Sequence, residues 1–252
     1  MHSERRRSII VWGPRGSGKS LYFASLVRWL AREREGLHLA VLPVDDAAAR
    51  WIASRARQDG AGLILESQPA PTGPHRFRVY STRNAAGPDR HRSVPLAELT
   101  SGDISAGELS AGAARDVTGA MLLLPAKAMA SSPELRLAHV AWLAATLARL
   151  PEKLGAAPPT VSLPVAVCLT QTDVAPDAER RNAAQWLESF GAETTRALRA
   201  HCSRFEVFKV SALGQTPRER DGVEVLATIP EPRGVLAPIR WLLQEMEGEE
   251  AA

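Results

Sequence analysis

Cysteine is close to missing from this chain: 252 residues include two, Cys168 and Cys202. Two cysteines cannot build the disulfide framework of a small secreted domain, and their spacing matches no metal-binding or redox motif. Cys168 sits inside an apolar run and reads as a small core residue. Lysine is almost as scarce. Of 31 basic residues only Lys19, Lys127, Lys153 and Lys209 are lysines. A strong charge of one sign is lacking too, since 28 acidic residues leave a net charge of +3. The pI near 9.2 partly reflects arginine use and is weak evidence for a polyanionic partner. Arg5-Arg6-Arg7 reads as a solvated lead-in to the first strand. No apolar run approaches the roughly 18 residues of a membrane-spanning helix. No signal-peptide or lipidation pattern is present. The expectation is a cytoplasmic protein with no membrane anchor of its own and no direct contact with nucleic acid.

The most informative feature that is present lies near the start. Residues 13–20 read Gly13-Pro14-Arg15-Gly16-Ser17-Gly18-Lys19-Ser20. This is a complete phosphate-binding pattern, G-x-x-x-x-G-K-[ST]. Ser8-Ile9-Ile10-Val11-Trp12 before it reads as a buried strand. After it, Leu21, Ala24, Val27 and Leu30 recur at helical spacing. Strand, glycine turn and helix are the context the motif requires. Glycines let backbone N–H groups close around an anion, and the helix start adds partial positive charge. Lys19 would reach the β- and γ-phosphates, and the Ser20 hydroxyl would bind Mg²⁺. A chain that favours arginine nonetheless has lysine at position 19, in keeping with a need for a compact ammonium.

The remainder alternates strands and helices. Expected strands are His38–Leu42, Arg76–Ser81, Val94–Leu99, Ala120–Leu124, Val165–Leu169 and Phe205–Val210, with a short apolar piece at Leu63–Leu65. Asp45 is a plausible N-cap for a helix through Trp51 to Ala56, and Ser131 or Ser132 for one through Leu135 to Leu150. One helix is expected over about Asp177–Ala200. Gln68–Pro74 and Thr100–Gly112 read as loops, the second rich in glycine and serine. The expectation is an α/β three-layer P-loop fold. Its sheet would be mostly parallel and near six-stranded, with one antiparallel pair formed by Arg76–Ser81 and Val94–Leu99. One domain over 1–252 is expected, with an inserted helical segment at about 45–60 and a terminal helix at about 235–247.

Two short segments follow strands at the end where open α/β sheets bind ligands. Thr170-Gln171-Thr172-Asp173 follows Val165–Leu169, and Ser211-Ala212-Leu213 follows Phe205–Val210. Here the chain resembles the small GTP-binding domain family, Ras-like and translation-factor-related. Thr170–Asp173 resembles the family's [N/T]-K-x-D motif, whose aspartate accepts from the guanine N1–H and exocyclic amine. Ser211-Ala212-Leu213 resembles the motif whose backbone N–H faces guanine O6. Gln171 stands where the family has a lysine that crosses the base plane and the phosphate loop. By the same resemblance Thr72 would sit in the first switch loop, binding Mg²⁺ and sensing the γ-phosphate. The extra helix before it, the Pro-x-Pro-Thr loop and the segment Pro232–Leu243 resemble bacterial double-GTPase-like proteins.

The pattern breaks at the family's D-x-x-G motif. The chain reads Glu98-Leu99-Thr100-Ser101-Gly102-Asp103. Taking Gly102 as the motif glycine, whose amide would report the γ-phosphate, puts Leu99 at the aspartate position. Leucine cannot hold a cation's water shell. Glu98 is one residue away and, on a strand, points to the opposite face. Asp103 takes the place of the water-positioning residue. Arg83, Arg90 and Arg92 read as part of a solvated loop.

Three readings stand. The first is a guanine-nucleotide switch with slow or partner-dependent GTP hydrolysis, acting through effectors or activators at loops 68–74 and 100–112. The second is a pseudo-GTPase scaffold inside a larger bacterial assembly. The third is an ATPase of another P-loop lineage, which an acidic pair ending a strand would support. The strand Ala120–Leu124 ends without one.

Overall fold

The computed structural model describes residues 7–32, 39–53, 56–59, 62–65, 75–81, 94–101, 117–153, 161–175, 181–221 and 223–250. Among them a seven-stranded sheet is built around β1 (Ser8–Trp12). Its order is β2 (Leu39–Pro43), β5 (His75–Ser81), β6 (Val94–Ser101), β1, β7 (Val117–Pro125), β8 (Val165–Thr170) and β9 (Phe205–Lys209). β1 runs parallel to both neighbours, as β8 does to β7 and β9. β5 alone runs against the rest, pairing antiparallel with β6 and with β2. The expected pair is therefore present, and the second strand joins it at the edge to make seven strands rather than six.

Helices cover both faces, which is why the central strands read as continuous apolar runs. On one face lie α1 (Lys19–Arg32), α2 (Asp46–Ala53) and α7 (Ala237–Glu250). Ile9 and Val11 of β1 point to this layer and join Phe23, Trp51, Phe77, Leu99 and Leu242 in one core. Phe23 stacks on Phe77 with ring centroids 4.4 Å apart. On the other face lie α3 (Ala126–Ser131), α4 (Pro133–Lys153), α5 (Ala183–Ser189) and α6 (Ala192–His201). Ile10 and Trp12 point here, toward Leu122, Leu143, Leu147 and Trp186. The two-residue period of β1 thus divides its side chains between two cores. Each buried Leu, Ile or Phe contributes about 1.5–3 kcal/mol by leaving water.

Capping places the helices. Asp45 Oδ1 accepts from the Ala48 N–H at 2.8 Å, and Ser132 Oγ from the Leu135 N–H at 3.1 Å. Several boundaries differ from expectation. α2 stops at Ala53, and Ala56–Asp59 forms a strand instead of a further helical turn. The helix expected to run to Ala200 is two helices, α5 and α6, parted by Gly191 at φ 143°.

The chief addition is a second, four-stranded sheet. β3 (Ala56–Asp59) pairs with β4 (Gly62–Leu65), β4 with β11 (Val223–Leu226), and β11 with β10 (Arg218–Arg220), all antiparallel. Leu226 of β11 is buried against Leu213, with Leu21 of α1 alongside, which packs this sheet on α1 and the loop after β9.

Candidate nucleotide-binding site

β1 ends at Trp12 and α1 begins at Lys19, so the glycine-rich segment bridges a buried strand and a helix start. Gly16 and Gly18 have φ of 79° and 81°. Left-handed positions of this kind let successive N–H groups turn to one side, the backbone form that anion-binding nests use. Gly13 is required for another reason. A Cβ there would collide with Ser17 Oγ and lie 2.9 Å from the Leu123 carbonyl oxygen. The Ser17 N–H donates to Pro14 O at 3.1 Å, and the Tyr22 N–H to Gly18 O at 2.8 Å, closing the loop into the helix. Lys19 Nζ donates to the Gly13 carbonyl and, at 3.2 Å, to Pro14 O, which holds the ammonium against the loop. Ser20 is half-buried in the first turn of α1, and Arg15 is exposed at the loop's tip.

The end of β8 is fastened to this loop. Thr170 Oγ1 lies within hydrogen-bonding reach of two carbonyls, Ser17 O at 2.7 Å and Leu124 O at 3.1 Å. Gln171 adopts a left-handed φ of 59°. Its Nε2 then donates to Gly16 O at 2.9 Å. An amide thus makes the crossing to the phosphate loop that the resemblance gives to a lysine. A left-handed conformation costs a non-glycine residue on the order of 1 kcal/mol, which the contacts of Gln171 must offset.

Asp173 follows in a single 3₁₀ turn, Thr172–Val174. Its Oδ1 accepts from Ser211 Oγ at 2.8 Å, and the same Ser211 oxygen accepts from the Gly214 N–H at 2.7 Å. Thr216 Oγ1 donates to the Asp173 carbonyl at 2.8 Å, and Ser25 Oγ of α1 to Ala212 O at 2.5 Å. The two loops after β8 and β9 are therefore knit together and to α1. Gly18, Leu21, Gln171, Asp173, Ala212 and Leu213 line one cleft. Tyr22 also lines it, its phenol kept neutral by burial while donating to Val235 O at 2.8 Å.

Leu99 and Glu98 both lie away from the glycine-rich loop. Leu99 is buried in the core beside Ile9, and β6 comes level with Val11 only at Ser101. Glu98 faces the other side, where its carboxylate lies 3.7 Å from Arg76 and 3.6 Å from Arg78. The reason is register: neither residue reaches the sheet edge where the phosphate loop lies. Thr72, Gly102 and Asp103 lie outside the described residues. Among the described residues no group of three or more His, Cys, Asp or Glu side chains could hold a metal ion.

Sequence reasoning missed six residues that line the cleft: Tyr22 of α1, Lys127 at the start of α3, Val174, Val210, Pro217, and Glu224 of β11. The signal for the last two was available. The sequence Asp-Gly at 221–222 is a pair that hairpin turns favour, and Asp221 has the positive φ, 54°, that such turns use.

No protein-family model matches the chain. No curated protein sequence matches it either. Among solved structures it is similar to the signal recognition particle receptor SRb-GTP/SRX complex from Chaetomium thermophilum. That match has 13% identity and a TM-score of 0.47, and covers 84% of this chain and 93% of that one. It is also similar to SsGBP in complex with GDP, at 12% identity and a TM-score of 0.39, covering 86% of this chain and 47% of that one. The chain thus spans about half the length of the SsGBP structure. The strand order, the single reversed strand and the glycine-rich loop between β1 and α1 make this a three-layer α/β fold of the P-loop kind. No helix among the described residues is long and apolar enough to cross a membrane.

Proposed function

We propose that this protein binds guanine nucleotides in the cleft between the phosphate loop and the loops after β8 and β9. One observation carries the reading. Asp173, oriented by Ser211, and Gly18 of the glycine-rich loop line a single cleft, and Thr170 and Gln171 bind the two halves together. The loop and Lys19 hold the phosphates. Asp173 accepts from the guanine N1–H and amine, donors that adenine does not present in that arrangement. The Ala212 backbone N–H faces O6, and Leu213 packs on the base.

Ser20 ligates Mg²⁺, joined by Thr72 from the first switch loop. Gly102 reports the γ-phosphate through its amide, and Asp103 helps to hold the attacking water. Hydrolysis is slow or partner-dependent, and effectors or activators engage segments 68–74 and 100–112, which the γ-phosphate orders. We place the protein in the cytoplasm.

A second reading, nucleotide binding without turnover, draws on β6. Its described residues bring no carboxylate to the phosphate loop, since Glu98 is turned away into its arginine pairs.

Calorimetric titration with GTP, GDP and ATP, each with and without Mg²⁺, tests the proposal. Guanine nucleotides should bind and ATP should not. ATP binding would overturn the role of Asp173, and no binding at all would leave a scaffold.

A further inference from the structure

The second sheet brings a carboxylate into the cleft that nothing above uses. Among the described residues lining the cleft, two carry carboxylates, Asp173 and Glu224. Glu224 lies on β11, in the hairpin Arg218–Leu226. Strand pleating puts it on the same face as Leu226, two residues on. That face meets the site: Leu226 packs against Leu213, the last residue of the proposed base-reading loop, with Leu21 of α1 alongside. No described basic side chain pairs with Glu224, and its direct cross-strand partner is Glu219, a like charge. Such a pair is unfavourable on a hairpin, so hairpin stability does not explain the residue.

Chemistry narrows what this carboxylate can meet. An ionised carboxylate only accepts hydrogen bonds. A guanosine nucleotide offers donors at two places, the N1–H and amine edge of the base and the hydroxyls of the ribose. Asp173 takes the base edge. The phosphate end repels a carboxylate, and it is occupied by the glycine nest and Lys19. The ribose hydroxyls remain.

We propose that Glu224, carried into the cleft by the β10–β11 hairpin, accepts hydrogen bonds from the ribose hydroxyls and makes the site prefer ribonucleotides. This rests on the guanine-nucleotide reading above. It makes the second sheet one wall of the binding site, built from chain segments that precede β5 and follow β9.

The test compares GDP with 2′,3′-dideoxy-GDP by calorimetry, using the full chain, Glu224→Ala, and Arg220→Ala as a hairpin control that does not line the cleft. A charge-assisted hydrogen bond corresponds to roughly 10- to 100-fold in affinity. The unaltered protein should prefer GDP by that factor. Glu224→Ala should lose the preference while its affinity for the dideoxynucleotide stays unchanged, and Arg220→Ala should keep it. A full preference retained in Glu224→Ala overturns the proposal, as does an unaltered protein indifferent to the ribose. If the unaltered protein binds neither guanine nucleotide, the functional reading fails first and this inference falls with it. Binding of both nucleotides equally fails the inference alone.

Discussion

Thr170 Oγ1 and the Ser17 carbonyl oxygen lie 2.7 Å apart, joining the end of β8 to the phosphate loop. Thr170 is buried, so this bond operates away from competing water. Replacing Thr170 by valine keeps the shape and removes the hydroxyl. The Ser17 and Leu124 carbonyls then lose a donor, at a cost of about 1–3 kcal/mol. Thermal unfolding should record a Tm lower by about 2–4 °C per kcal/mol. An unchanged Tm would mean that the two loops are held by other contacts.

Lys19→Ala removes the ammonium that Gly13 and Pro14 hold over the loop. Triphosphate affinity should fall by about 100-fold or more, since charge-assisted contacts to phosphate are among the strongest available. The fold should survive, because the side chain is only half-buried and its partners are loop carbonyls. Calorimetry with circular dichroism separates the two effects. Full triphosphate affinity in the variant would remove Lys19 from the site.

Asp173→Asn exchanges an acceptor for a donor at the base edge. Affinity for GDP should drop on the order of 100-fold or more, with preference moving to the xanthine nucleotide, whose edge presents an oxygen in place of the amine. Ser211→Ala should weaken GDP binding less, since it leaves Asp173 in place and removes only its orienting donor. Unaltered base preference in Asp173→Asn would sink the guanine assignment.

Leu99→Asp tests the corrected view of β6. An uncompensated buried charge here should cost about 3–5 kcal/mol. It should restore no Mg²⁺ dependence, because Leu99 faces Ile9 in the core. Leu99→Met should cost less than about 1.5 kcal/mol. Chemical denaturation of both variants decides the matter, and a stable Leu99→Asp protein that gains Mg²⁺-dependent binding would refute the register argument.

Both thiols titrate late. Burial pushes Cys202 up to about 12 and Cys168 higher still. Each stays protonated in the fold and ionises near the ordinary thiol range when unfolded. The folded pKa is raised, so the contribution to stability is full below the unfolded value. It declines as pH rises from about 8.5 toward the folded pKa. Iodoacetamide at pH 8 should leave the native protein unlabelled and modify both thiols after denaturation. Rapid labelling of native protein would contradict the burial of both cysteines.

Much of the fold was legible because its signals are local. β1, the glycine loop and α1 announce themselves within twenty-five residues of sequence, through a run, a motif and a period. Asp45 and Ser132 cap their helices as their residue types suggest. What stayed hidden depends on pairing across distance. No local feature says that β4 and β11 belong to one sheet, since β5 to β9 of the first sheet lie between Leu63 and its register partner Leu226 in the chain. The placement of β6 against the glycine-rich loop stayed hidden for a related reason. A motif count fixes residue order, while reach along β6 is set by register against β1, and that register puts Ser101, not Leu99, level with Val11. Gln171 was read as a departure from lysine, yet a left-handed backbone gives its shorter side chain the reach to Gly16.

The pairing of β4 with β11 also bears on how the chain is made. On the ribosome, β4 is synthesised about 160 residues before its partner, a delay of roughly 10–30 s at typical elongation rates. Throughout that interval the β3–β4 hairpin has no β11 to close its edge, and an open strand edge is a site for wrong partners. The nascent chain is thus exposed to mispairing until β11 emerges, which makes synthesis, rather than the finished fold, the stage at which a chaperone has most to protect.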